Sequence, residues 1–301
     1  MSARSRPWLV LAVVVAAALG GAGLFTGAIG AAFFGSKALL GVPKVELAAP
    51  TVFSLGGLGV TNTMLSSWLT TLFLIAVLAV GMRHRQIVPT GMQNFVEWIL
   101  EALYNFIQGV AGERWARPFF PVIATIFLFV SFNAWLALLP FYQSLGLMQG
   151  GQIETHLFRS AGTDLNMPLA VALVSGIFVE YFGLKAHGFG YLGEFVRIRG
   201  LVQGLRRFSV MDIFTGLVDG AVGLLELLSH FIRIVSFTFR LFGNMTAGEI
   251  VLMVSAFLVS FIFPMPFYGL ELLVGFIQAL IFAGLSLAFV AVAVDVHGGE
   301  A

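Results

Sequence analysis

Runs of about 18 or more mainly apolar residues constrain this chain before anything else does. A run of that length matches the roughly 30 Å hydrocarbon core of a bilayer when helical. Backbone polar groups find no water there, so helices are the form open to it. Six such segments can be marked: Trp8 to about Phe34, Leu65–Met82, Phe119–Leu139, Met167–Leu184, Val210–Phe263 and Phe267–Val294. Only 10% of the residues are charged, against about a quarter in soluble domains. The expected fold class is therefore all-α, a polytopic membrane protein of five to six transmembrane helices. The chain has no cysteine and a net charge of +1. Disulfides, Fe–S clusters, thiolate nucleophiles and Cys-based zinc sites are excluded, and so is an acidic or basic tail as the main functional feature. No G-x-x-x-x-G-K-S/T occurs, so a phosphate-cradling nucleotide site is not expected.

Orientation follows from where the basic residues sit. Arg4 and Arg6 precede the first segment, Arg83, Arg85, Arg114 and Arg117 lie between the second and third, and Lys185, Arg197, Arg199, Arg206 and Arg207 lie between the fourth and fifth. The opposite loops hold only Lys37, Lys44 and Arg159. The first set is expected on the cytoplasmic side, together with the C-terminus carrying Asp295, His297 and Glu300. Residues 1–60 read as an N-terminal segment and an outer loop. Two arginines before an apolar run also describe a signal peptide, but the run exceeds a typical signal core, which favours a retained anchor. Residues 61–301 read as a single membrane domain. Between Pro89 and Val110, Gln93, Asn94, Glu97 and Glu101 recur at helical spacing beside Phe95, Trp98, Ile99 and Phe106, a pattern suited to a helix at the membrane interface.

The fifth segment carries most of the intramembrane charge. As one helix, Val210–Phe263 would reach about 80 Å, more than twice the hydrocarbon thickness, so it is expected to be strongly tilted, broken, or partly in the membrane plane. At roughly 100° per residue, Asp212, Asp219, Glu226, His230, Arg233, Arg240 and Asn244 fall in one stripe about 80° wide. A charge inside the bilayer costs about 2.5–3.5 kcal/mol or more, so the stripe must face protein, water or a polar partner. Arg240 stands out because a guanidinium stays protonated at any accessible pH. The bland reading is a structural ion pair with Glu226 or another stripe carboxylate. Glu249 falls off the stripe, and the last segment supplies Glu271 and Gln278, seven residues apart on one helix face. The Pro264–Pro266 turn places Glu249 and Glu271 toward the outer side. Asp212, Asp219, Glu226 and His230 fall toward the inner side, with Arg240 between the two groups. Titratable groups on both sides of a fixed cation suggest two half-channels, and intramembrane carboxylates and histidines are what proton relays use.

The run Ser236-Phe-Thr-Phe-Arg240-Leu-Phe-Gly-Asn244-Met-Thr-Ala-Gly-Glu249 resembles the signature of subunit a of F-type ATP synthases, R-L-F-G-N-M-x-A-G-E/H. Further matches in the family's order are Thr61-Asn-Thr, Val88-Pro-Thr-Gly-Met-Gln-Asn94, Asn133 to Pro140, Thr163-Asp-Leu-Asn166, Gly223-Leu-Leu-Glu226 and Ile277-Gln278-Ala. The resemblance covers roughly Thr61 to the end. It implies that 210–294 is an ion-translocating hairpin, long and strongly tilted. It further implies that Arg240 is the essential cation facing the carboxylates of a rotating ring of c subunits. Asn244, Glu249, Glu271 and Gln278 then match polar residues around the outer half-channel and the arginine, and Glu226 an inner carboxylate. Asp164 and Asn166 match a polar outer-loop motif. Asp219, His230 and Ser236 are weaker proton-path candidates. The implied partners are the c ring, the peripheral stalk b subunits, the rest of the F-type complex and membrane lipid. No nucleotide, nucleic acid, cofactor or metal is implied, and the setting is a bacterial-type inner membrane.

This sequence departs from the family at two places. The N-terminal segment lies outside the core pattern, and Glu249 and Glu271 are both acidic where some members carry one histidine. The two acids are expected to share a proton. His230 and Arg233 fall where the family varies and read first as packing residues, and Glu180 reads as a structural carboxylate that pairs or snorkels near Lys185. A stand-alone secondary transporter would account for polar groups in spans, but such folds show repeats with broken helices in matching positions, whereas here the polar residues gather in the C-terminal half. An intramembrane hydrolase lacks support because neither H-E-x-x-H nor G-x-S-x-G occurs. A Na⁺-translocating version of the same subunit stays open, with H⁺ favoured because no ring of oxygen ligands is evident.

Overall fold

The computed structural model describes residues 7–35, 38–39, 41–43, 48–83, 86–149, 152–191 and 210–295. Arg4, Arg6, Lys37, Lys44, His84, Arg85, Arg197, Arg199, Arg206, Arg207, His297 and Glu300 lie outside the described residues, as does the side chain of Asp212. The fold is all-α. Five helices are long and apolar enough to cross a membrane, and a bent pair makes up to six.

The expected spans appear with shifted ends. The second is α3 (Asn62–Gly81). The interface segment and the third span form α4 (Met92–Ala137), divided at Gly112, whose φ of 73° and ψ of 168° lie outside helical space. Glycine adopts that conformation without a side-chain clash, so Gly112 is where the chain turns from one helical part into the other. The fourth span is α6 (Asn166–His187), which follows the short α5 (Pro140–Ser144). The fifth is α7 (Val210–Leu258), an uninterrupted helix of 49 residues. At about 1.5 Å per residue it runs roughly 73 Å, so of the three ways to accommodate its length, breakage is excluded. It contains no proline. Pro264 and Pro266, which cannot donate to a helical ladder, stand in the turn before α8 (Met265–Asp295) and at its start. Phe261 takes a left-handed φ of 68° in that turn.

Two short antiparallel hairpins were not expected. They join β1 (Thr51–Leu55) to β2 (Leu58–Thr61) and β3 (Gly146–Gln149) to β4 (Gln152–His156). Gly56 and Gly57 have φ of 57° and 90°, the positive values that a two-residue hairpin turn requires.

The described chain forms two compact units. One comprises Met1–Ser66, Asn133–Asp164 and Gly243–Ile277. Here the first apolar segment is not one span to Phe34. It divides at Gly27, extended at φ −79° and ψ 173°, into α1 (Pro7–Thr26) and α2 (Ala28–Phe34), bent by 67°. The cause is close packing on the end of α7. A Cβ on Gly23 or Gly27 would overlap the backbone carbonyl of Ser260 or Leu258, and the Ser260 N–H donates to the Gly23 carbonyl at 3.3 Å. Small residues let helix backbones approach in this way in membranes. In the same unit the Trp135 indole donates to the Leu272 carbonyl at 3.1 Å and stacks on Phe276, which ties α4 to α8.

The other unit comprises Ser67–Phe132, Leu165–Phe242 and Gln278–Ala301. Its α4–α6 contact is aromatic: buried Phe119 packs against Trp115, Phe178 and Phe182 at 5.5, 5.6 and 4.9 Å. The α6–α8 contact is a hydroxyl pair, with Ser175 Oγ donating to Ser286 Oγ at 2.6 Å and Ser286 to the Phe282 carbonyl at 2.8 Å. Phe237 of α7 stacks near Phe282 of α8 at 4.8 Å. Part of α7 is open: Leu224, Leu225, Phe231 and Ile232 are each more than half exposed. So large an uncovered apolar face marks a surface met by lipid or by another protein.

Candidate functional site

The residues singled out from sequence fall in both units. In the second, Arg240 lies on α7, half-buried, with its Cζ 5.8 Å from the centre of the Phe237 ring. Phe237 is itself buried against Phe282 and Phe289. Among the described residues Arg240 makes no ion pair. Pairing with Glu226 is ruled out by helix geometry, since fourteen residues along a continuous helix separate the two Cα atoms by about 21 Å. Glu226 is half-buried, while Asp219 and Ser236 are exposed. Gln278 is 2% exposed on α8, and Asn166 is the exposed first residue of α6.

Ten residues before Arg240 on α7, His230 Nδ1 and Glu180 Oε1 form a close pair between α7 and α6. This corrects the expectation that Glu180 answers to Lys185. Residues five apart on a helix point about 140° away from each other, whereas partners lie three or four apart. Lys185 instead lies over the rings of Phe182 and Tyr181 at 5.5 and 5.9 Å. His230 is thus tied to a carboxylate in the chain rather than standing alone. Arg233 lies 3.6 Å from the centre of the Phe289 ring, a cation–π contact worth about 0.5–2 kcal/mol.

In the first unit Glu249 is held by Arg159. Its guanidinium donates from Nε to Oε1 and Oε2 at 3.1 and 3.0 Å and from Nη2 to Oε2 at 3.0 Å. The sequence reading placed Glu249 with Glu271, but its charged partner is this arginine. Glu271, half-buried on α8, lies with its carboxylate against Gly248, and a Cβ at that position would overlap both carboxylate oxygens. Among the described residues it makes no ion pair and no hydrogen bond. Asp164 is half-buried and accepts a hydrogen bond from Thr63 Oγ1 at 2.8 Å. Asn244 is exposed on α7. Sequence reasoning counted Arg159 only as a basic residue of an outer loop. The local signal was an isolated cation five residues before Asp164, and nothing in it names a partner ninety positions away. No group of three or more acidic or histidine side chains is gathered for a metal ion among the described residues.

An all-α membrane protein with ionisable side chains along its last two helices, one of them a cation without a carboxylate partner among the described residues, fits the ion-translocating class. A family model described as ATP synthase A chain matches residues 64–291. The chain is similar to the ATP synthase subunit a of Gloeobacter violaceus, with 34% identity over 257 residues, covering 85% of this chain and 93% of that protein. It belongs to the ATP synthase A chain family, the proton-translocating stator subunits of the F0 membrane sector.

Proposed function

We propose that this chain supplies the stator side of a rotary proton path, with Arg240 as the fixed cation that a ring of c subunits passes. The carrying observation is that Arg240 is half-buried in an apolar helix and makes no ion pair among the described residues. A charge in that setting calls for an external counter-charge, because leaving it uncompensated costs several kcal/mol. A ring carboxylate provides one. At about 4 Å and an effective dielectric of about 20, the attraction is about 4 kcal/mol, enough to favour the ionised carboxylate about a thousandfold. Away from Arg240 the same carboxylate faces lipid, where only its protonated form is tolerable. The ring can therefore turn only if each site releases a proton on approaching Arg240 and takes one up on leaving.

Two half-channels supply those exchanges. Glu249, Glu271, Asn244 and Gln278 serve the outer one, with Asp164 and Asn166 toward its mouth. Glu226 serves the inner one, with Asp219, His230 and Ser236 as secondary positions. The His230–Glu180 pair supports a titratable group on that side. Residues 61–301 act as one membrane domain with 210–294 as the translocating hairpin. The C-terminus is cytoplasmic in a bacterial-type inner membrane, and the ion is H⁺. The chain binds no nucleotide; it works through the c ring, the peripheral stalk b subunits and the remainder of the complex.

Affinity purification of the tagged chain from mild detergent tests this reading. The expected result is recovery with a c ring and peripheral stalk, and no ion transport by the chain reconstituted alone. Transport by the isolated chain, with neither assembly attached, would favour a stand-alone transporter and overturn the proposal.

A further inference from the structure

We propose that Arg159 is a positioning residue for Glu249, holding its carboxylate as an oriented acceptor for protons arriving through the outer half-channel. The inference rests on the reading of Glu249 as a proton-path residue. Its own basis is the pair's geometry and the scaffold behind it. The guanidinium engages both carboxylate oxygens through three hydrogen bonds of 3.0–3.1 Å, with the two side chains 10% and 21% exposed. A planar fork on a carboxylate fixes direction as well as distance.

The loop bearing Arg159 is fixed in turn. The Arg159 backbone N–H donates to Ser66 Oγ at 3.1 Å, and Ser66 Oγ donates to the Asn62 carbonyl at 3.1 Å. Asn62 Nδ2 donates to the His156 carbonyl at 3.3 Å, and Thr63 Oγ1 to Asp164 at 2.8 Å. Both ends of the 156–164 segment are thus tied to the start of α3. An arginine in a free loop would lose about 2 kcal/mol of side-chain entropy to be held in one pose. Here the backbone is already held, and Arg159 meets Glu249 at a set angle.

The proton step needs no other reactant. A hydronium ion gives its proton to a Glu249 oxygen and leaves as water, the neutral carboxyl is held less strongly by Arg159, and the proton passes on to the next acceptor. The carboxylate then returns to the fork. In this role Arg159 acts through Glu249.

The test uses the whole complex in membrane vesicles, with passive proton conduction measured after the catalytic head is stripped. Arg159→Gln should lower conduction about tenfold, the size expected for one charge-assisted pair. Arg159→Lys should recover part of it, since the charge remains but the fork is lost. The double variant Arg159→Gln/Glu249→Gln should conduct no worse than Glu249→Gln alone, because a role exercised through Glu249 is not additive with its removal. Additive losses, unchanged conduction in Arg159→Gln, or full conduction in Arg159→Lys would each overturn the proposal. Should Arg159→Gln fail to assemble, the lysine variant alone decides. Unchanged conduction in Glu249→Gln would instead overturn the proton-path reading beneath it.

Discussion

Arg240→Ala is expected to abolish ATP-driven proton pumping, a loss of at least about a hundredfold, while the complex still assembles. The size follows from the electrostatics. Without the cation the ring carboxylate must ionise unassisted in a low-dielectric setting, forfeiting about 4 kcal/mol, and about 1.4 kcal/mol is a factor of ten in rate. Assembly should survive because, among the described residues, the side chain's cation–π contact is with the Phe237 ring at 5.8 Å, an interaction worth about 0.5–1 kcal/mol at partly exposed sites. Arg240→Lys should be nearly as damaging, since a lysine is a point charge that can shed its proton when buried and lacks the fork. Passive leak should stay level or rise, because in the proposed path the cation also bars a proton from crossing directly. The measurement is acidification of inverted vesicles on ATP addition, alongside leak in stripped membranes. Coupled pumping at the native rate in Arg240→Ala would be incompatible with this role.

Gly248→Ala should lower pumping by about tenfold, and Gly248→Val by more. A methyl group at Gly248 would occupy the space of the Glu271 carboxylate. Because Glu271 is the flexible partner, its carboxylate is what moves, and a misplacement of about an ångström can cost on the order of a hundredfold in an aligned transfer. Gly269→Ala on α8 is the control, as nothing lies within 4 Å of a Cβ there; it should pump normally. Glu271→Gln should depress flux in the same direction but less than Arg240→Ala, since it removes one relay group and leaves the cation in place. Initial rates of vesicle acidification, normalised to assembled complex, check all of these. Native rates in Gly248→Ala would show that the Glu271 carboxylate is not where proton transfer depends on it.

Much of this architecture was legible because it follows from the solvent. The apolar runs gave four spans within about five residues of their observed ends; the third, expected from Phe119, lies inside the longer α4, whose first part matches the amphipathic spacing at Gln93, Glu97 and Glu101. What was missed depends on local backbone chemistry or on distant partners. The hydropathy of Trp8–Phe34 is continuous, yet the close approach of Gly23 and Gly27 to Ser260 and Leu258 breaks the helix. The hairpin at Gly56–Gly57 is signalled by a glycine pair between short alternating runs, a pattern that a search for long apolar segments passes over. The α7 stripe was visible from periodicity alone because that helix is unbroken, but periodicity says nothing of partners on other elements. Glu180 joins His230 across 50 residues, and Arg159 reaches Glu249 across 90. Charge counting treats Arg159 as a surface residue until the loop's anchors at Asn62, Thr63 and Ser66 are known.

The central claim is that a half-buried guanidinium on α7 finds its counter-charge on a rotating neighbour. A density map of the assembled complex in a native-like bilayer tests it most directly. Arg240 is expected to turn toward the ring, within about 4 Å of a ring carboxylate or one water removed from it. A map with Arg240 directed at phospholipid headgroups, or paired to a fixed carboxylate away from the ring, would contradict it.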